Sequence, residues 1–251
     1  MTSLFQVSIL IFVLMLTGCT TQSERAGVNN KAASVANAEL GVAYMGQGQN
    51  KVAMVKLKKA IAYDDENANA HHYIAELYRR LEQNDLSGIH FQRALELKPK
   101  DSSIKNNYAI YLCSTGSYGK GLNLLSSVLA DPLYSNKDQA YENMGLCAEK
   151  QGNVQVAEAH FLTALKLNRN LPNSLLGMAK IEFDKQNIKS ATTYFEKYNK
   201  ISRHTPQSLW LGVLIERKNG RKGQSGSYAV LLKGRFPDSK EAKYLKKLNI
   251  R

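Results

Sequence analysis

From about residue 34 onward, apolar residues recur in successive runs separated by short polar turns. Their three- and four-residue spacing lays one apolar stripe along each of a series of α-helices. The alternating Val, Ile and Thr runs of half-buried strands are missing. The pattern therefore predicts an all-α chain. It also repeats: Gly41, Ala75, Ala109, Gly145 and Ala179 follow one another at 34, 34, 36 and 34 residues. Small residues at one helical position let two helices approach, and large residues fill the gaps.

The fourth unit reads YENMGLCAEKQGNVQVAEAHFLTALKLN. It resembles the tetratricopeptide-repeat (TPR) consensus at Met144-Gly145, Gly152, Ala157, Phe161 and Ala164. Equivalent sets are Leu40, Gly41, Tyr44, Gly48, Ala53, Leu57 and Ala60 in the first unit, and Ile74, Ala75, Tyr78, Ser87, Phe91 and Ala94 in the second. The third has Tyr108, Ala109, Gly116, Gly121 and Leu125, and runs two residues long through Asp131-Pro132-Leu133-Tyr134. The fifth has Met178, Ala179, Ala191, Phe195 and Tyr198. In the sixth, Leu211-Gly212, Tyr228 and Leu231 surround a stretch, KNGRKGQSG, that reads as an atypical glycine-rich turn. The resemblance implies a TPR solenoid of about six helix-turn-helix repeats over residues 34–251. The repeats are expected near 34–67, 68–101, 102–137, 138–171, 172–205 and 206–239. Glu82 and Gln186 occupy the places of turn glycines, which is expected to weaken those two helix breaks.

Residues 1–18 are mostly apolar and end in Leu16-Thr17-Gly18, ahead of Cys19. A short apolar core before small residues reads as a secretory signal, too short for a spanning helix. Leu16-Thr17-Gly18-Cys19 resembles the bacterial lipobox, although no Lys or Arg precedes it. The resemblance implies lipid on Cys19, with Thr20 at the next place favouring sorting to the outer membrane, periplasmic face. Residues 19–33 then serve as lipidated cysteine and flexible tether.

The formal net charge is +13, and residues 201–251 hold twelve Lys/Arg against three Asp/Glu. Such an end suits an anionic partner or surface, or is simply a solvated face. Secretion argues against nucleic acid. The five histidines lack metal-ligand spacing, and no GxSxG, P-loop or dinucleotide fingerprint occurs. No enzyme, cofactor or small-molecule substrate is expected, the covalent lipid on Cys19 aside. Cys113 and Cys147 fall in the first helices of neighbouring repeats, at register positions 12 and 10. These positions do not point at each other, which favours two buried thiols over a bridge, although the compartment permits one.

In a TPR stack, first-helix positions 2, 5, 9 and 12 line a groove. In the first three repeats these supply Ala38, Val42 and Met45, then His72, Glu76 and Arg79, then Asn106 and Ile110, with Cys113. They are the expected partner-binding residues, unless the tether folds over Val42 and Met45.

Four segments carry a closer resemblance: NNYAIYL (106–112), ENMGLCA (142–148), LKLNRNLP (165–172) and SLWLGVLIERK (208–218), joined by LLKGRFPDS (231–239). They are similar to the PilF/PilW lipoproteins of type IV pilus biogenesis. That resemblance implies a pilotin, which helps the pilus secretin reach the outer membrane and multimerise. Its expected partners are the secretin, possible other pilus proteins and the lipoprotein-sorting machinery. The alternative is a TPR lipoprotein scaffold for another envelope machine, serving peptidoglycan enzymes or outer-membrane assembly.

Overall fold

The computed structural model describes residues 18–247, and side chains from 29 to 245. The expected signal segment lies outside the described residues, apart from Gly18. Among the described residues thirteen helices follow one another: α1 (Gly18–Gly46), α2 (Asn50–Tyr63), α3 (Ala68–Arg80), α4 (Asn84–Leu97), α5 (Ser102–Ser114), α6 (Tyr118–Leu129), α7 (Lys137–Gln151), α8 (Val154–Leu167), α9 (Pro172–Asp184), α10 (Ile188–Ile201), α11 (Pro206–Lys218), α12 (Lys222–Arg235) and α13 (Lys240–Lys247). No strand occurs among the described residues, and none of their helices is long and apolar enough to cross a membrane. Two compact units divide the chain at Tyr111/Leu112.

The helix hairpins close by one device throughout. At the end of each first helix a residue takes a left-handed conformation: Gly48, Gly116, Gly152 and Gly220 at φ between 74° and 88°, Glu82 at 59° and Gln186 at 62°. Glu82 and Gln186 were expected to weaken their breaks. Instead α3 and α9 end at the same register as the other first helices. An L-residue pays for that conformation where glycine does not. Glu82→Gly or Gln186→Gly should therefore stabilise the fold by about 0.5–1 kcal/mol. A lowered melting temperature in both variants would show that the native side chains contribute more than the strain costs.

In unit one, α2 buries Ala53, Leu57 and Ala60 completely. A Cβ on Gly41 of α1 would lie 2.5 Å from Leu57 Cγ, so glycine is what permits this approach. Leu57 joins Met45, Ile74, Leu77 and Tyr78 in one core cluster. Asn67 couples the hairpins: its Oδ1 accepts from the Ala70 amide at 3.1 Å, capping α3, while its Nδ2 donates to Ser34 Oγ at 2.8 Å. On α4, buried Ser87 donates to the Ala75 carbonyl across the hairpin at 2.9 Å.

A histidine pair sits on the same unit. His71 Nε2 lies 3.1 Å from the Asp65 carbonyl, which makes it the protonated nitrogen, and His71 Nδ1 then accepts from His90 Nδ1 at 2.9 Å. His71, the acceptor, must be neutral for this. Burial lowers the pKa of each, and His90 reaches about 4, with His71 and Lys58 adding repulsion. Unfolded histidine titrates near 6.5, so below that pH the unfolded chain takes up protons first. This part of the stability is complete above about pH 6.5 and is lost as pH falls toward 4. His90→Asn keeps a donor in place without the titration. Its melting temperature should fall less than wild type between pH 6.5 and 5, and equal slopes would contradict the account.

In unit two, Phe161 of α8 is fully buried between two glycines. A Cβ on Gly145 of α7 would sit 2.5 Å from one edge of its ring, and a Cβ on Gly177 of α9 would sit 2.5 Å from another. Buried Glu142 of α7 accepts from the Ser174 amide at 2.8 Å and its hydroxyl at 3.1 Å, placing a carboxylate at the N-terminus of α9. Downstream, Phe195, Tyr198, Leu211 and Ile215 form the next core layer. The last hairpin closes against α13, whose Ala242 and Leu245 pack on Leu209, Val213 and Leu232.

Four expectations change here. The stretch expected as a flexible tether, residues 19–33, belongs to α1, which is helical without a break from Gly18. KNGRKGQSG is not one long turn: only Gly220 takes the left-handed bend, and Gly223 and Gly226 lie inside α12. The sixth hairpin, expected at Leu211-Gly212, meets its second helix one residue later: the Ser225 hydroxyl reaches the Val213 carbonyl at 3.0 Å, as Ser87 reaches Ala75. Finally, Cys113 and Cys147 are joined in a disulfide, with their Cα atoms 5.3 Å apart. Positions 12 and 10 do meet across α5 and α7.

Candidate partner-binding groove

The residues expected to line a groove in unit one are placed unequally. Ala38 and Met45 are buried in the core, 2% and 6% exposed, the first against Ala60 and Ala70. His72 is also buried, and its unprotonated Nε2 accepts from Asn107 Nδ2 at 2.8 Å. Burial holds the His72 pKa below its ordinary value, which keeps that nitrogen free to accept. Buried Asn106 donates to Asn107 Oδ1 at 3.2 Å, extending the chain of amides. These four side chains hold helices together instead of facing a partner. Ala38 lies at the contact of α1 with α3, and His72 bonds across to Asn107 of α5, so these positions are closed over. Val42 stays exposed, Ile110 half-buried, and Glu76 and Arg79 pair through two hydrogen bonds of 3.2 and 2.9 Å.

Unit two forms an open groove from the same positions of its own first helices. Its volume is about 480 Å³. Leu146 of α7, Leu176 and Phe183 of α9, and Trp210 and Leu214 of α11 make the floor. Each of these is half-buried. Counting from the repeat starts, they occupy positions 9, 5, 12, 5 and 9. Asn173 and Gln207, both at position 2, supply amides along one edge.

The charged groups at the rim largely cancel. Lys180 Nζ meets Glu149 Oε1 at 2.6 Å, and Lys240 and Glu241 of α13 stand 3.9 Å apart. Asp184 adds one further acid. In a chain of net charge +13 this is a nearly neutral apolar surface. Trp210 is steadied by Tyr244 of α13, with ring centroids 5.7 Å apart. Such a floor suits an uncharged, apolar peptide segment. The sequence signal for this site was available: it is the same four-position register, applied to the last three repeats instead of the first three.

Comparison with known proteins agrees with this architecture. The tetratricopeptide repeat pattern matches residues 39–102 and again 138–171. The type IV pilus assembly protein PilF of Pseudomonas aeruginosa is 27% identical over 238 residues, covering 92% of this chain and 94% of its own. A solved structure of Pseudomonas aeruginosa PilF superposes with a TM-score of 0.73 at 26% identity, over 87% of this chain and 99% of that one. The crystal structure of PilW, described as a widely conserved type IV pilus biogenesis factor, gives 0.72 at 28% identity, over 84% and 97%.

Proposed function

We propose that this chain, which belongs with PilF and PilW among the tetratricopeptide-repeat proteins of the type IV pilus, is the outer-membrane pilotin of such a system. In this reading acyl chains on Cys19 hold it to the outer membrane. It binds protein and does not catalyse. The groove on α7, α9 and α11 takes an apolar segment of the pilus secretin and keeps it from self-association until the ring is built. Val42, Glu76, Arg79 and Ile110 of unit one remain a second contact surface for the secretin or another pilus protein.

The observation that carries the proposal is the near-neutral apolar groove within a fold matched along almost the whole of PilF. Leu146, Leu176, Phe183 and Trp210 lean on the core with one side and leave the other open, and a continuous half-open apolar floor of this kind is most simply a surface awaiting a partner.

Two experiments test separate parts. Cys19→Ala should shift the protein from the membrane fraction to the soluble periplasm. An unchanged membrane fraction would remove the lipid anchor. Leu176→Glu with Leu214→Glu should abolish co-purification of the secretin, with Leu214→Glu alone as the milder variant because Leu176 also packs against the core around Leu175 and Phe195. Undiminished co-purification would move the site elsewhere. Recovery of peptidoglycan enzymes in place of the secretin would favour the scaffold reading.

A further inference from the structure

A second cavity in unit two, of about 390 Å³, combines cations with an apolar floor. Leu162 and Leu165 of α8, Leu175 of α9 and the Tyr194 ring of α10 make the floor. Lys166, Arg169 and Lys197 stand around it, all exposed. Lys197 Nζ lies over the Tyr194 ring, 5.8 Å from its centroid. No carboxylate lines the cavity. The two acids whose charge is felt at Tyr194 are already engaged: Glu158 holds Lys185 at 2.6 Å, and Glu182 accepts from Asn187 at 3.1 Å. Among the described residues no ion pair involves Lys166, Arg169 or Lys197.

The turn that carries Arg169 is fixed. Asn168 Nδ2 donates to Asp138 at 2.8 Å, and Asn168 Oδ1 accepts from the Asn170 amide at 3.0 Å. The LKLNRNLP segment thus presents a guanidinium at the mouth of a leucine-lined cavity.

We infer that this cavity binds the headgroup of an anionic phospholipid. The two lysines and the arginine fork meet the phosphate. The leucines and the tyrosine face cover the glycerol and first methylenes. A nucleic acid would satisfy the cations alone, whereas an amphiphile also covers the part-exposed Leu162, Leu165 and Tyr194. Near a membrane each such cation strengthens binding by roughly fivefold.

The test is calorimetric titration of the purified full-length chain with dihexanoylphosphatidylglycerol below its micelle concentration. Dihexanoylphosphatidylcholine, inorganic phosphate and polyglutamate are run in parallel. The expected result is saturable binding of the phosphatidylglycerol, at least about tenfold tighter than each of the others. Lys166→Gln, Arg169→Gln and Lys197→Gln combined should weaken it by roughly a hundredfold, with Lys166→Gln alone as the milder variant if the triple one misfolds. Equal binding of the phosphatidylcholine, or wild-type affinity in a folded variant, would overturn the inference. So would inorganic phosphate binding as tightly as the lipid, which would leave a bare anion site. Tight polyglutamate binding lost in the same variants would assign the cavity to an acidic protein instead.

Discussion

Gly145→Leu should be among the most destabilising single substitutions in this chain, costing at least about 3 kcal/mol. Even a Cβ at this position would stand 2.5 Å from two carbons of the Phe161 ring. The ring cannot retreat, because Gly177 meets its other edge just as closely. Relief would need α7, α8 or α9 to move apart, and those helices share one core with Ala148, Ala157, Met178 and Ile181. Overpacking of this kind typically costs about 1–3 kcal/mol, and a ring pinned on both sides lies at the upper end or beyond. Gly145→Ala should show a smaller loss in the same direction. Phe161→Leu placed in the Gly145→Ala background should recover part of it, a coupling of about 0.5–3 kcal/mol in a double-mutant cycle. Urea unfolding of the four proteins measures this, and strict additivity would mean that glycine and ring do not meet.

Loss of the Cys113–Cys147 bond should come close behind. It closes a loop of 34 residues and joins the end of α5 to the middle of α7. Restricting the unfolded chain over that length is worth about 3–4 kcal/mol. Cys113→Ser with Cys147→Ser should lower stability by that amount, as should reduction of the wild-type protein. The double variant should also become insensitive to reductant. A melting temperature unaffected by dithiothreitol in the wild type would contradict the bond.

The fold class was legible in the sequence because its determinants are local and periodic. Ala53, Ser87, Gly121, Ala157 and Ala191 mark one small position of the second helices, and Leu57, Phe91, Leu125, Phe161 and Phe195 mark the large position that follows. The structure buries all ten, where Ser87 adds a hydrogen bond to its small size. The features that escaped depend on departures from that period. Cys113 and Cys147 are joined across α5 and α7 although they stand at positions 12 and 10, so fixed register positions misplace the cysteines. Polar composition over residues 20–30 gave no apolar stripe, yet α1 runs through it as a helix. Glu82 and Gln186 show the reverse case. The turn imposes the left-handed bend even on residues that disfavour it, because the packed hairpin outweighs about 1–2 kcal/mol of local strain.

The candidate site was legible in rule but not in place. First-helix positions 2, 5, 9 and 12 do line a groove, and in unit two they leave Leu146, Leu176, Phe183, Trp210 and Leu214 open. In unit one the same positions give Ala38 and Met45 to the core and His72 and Asn106 to an amide network. What separates the two cases is whether neighbouring first helices close over the position. Residue type does not reveal that: methionine and leucine read alike in a register table.

The measurement that bears most directly on the pilotin proposal is a blot for detergent-resistant secretin multimers in outer membranes. It compares a strain lacking this gene with strains restored by the wild type and by Leu176→Glu/Leu214→Glu. The account predicts that multimers vanish without the gene, return with the wild type, and stay absent with the groove variant although it is folded and present. Multimers at normal level in the strain lacking the gene would contradict it.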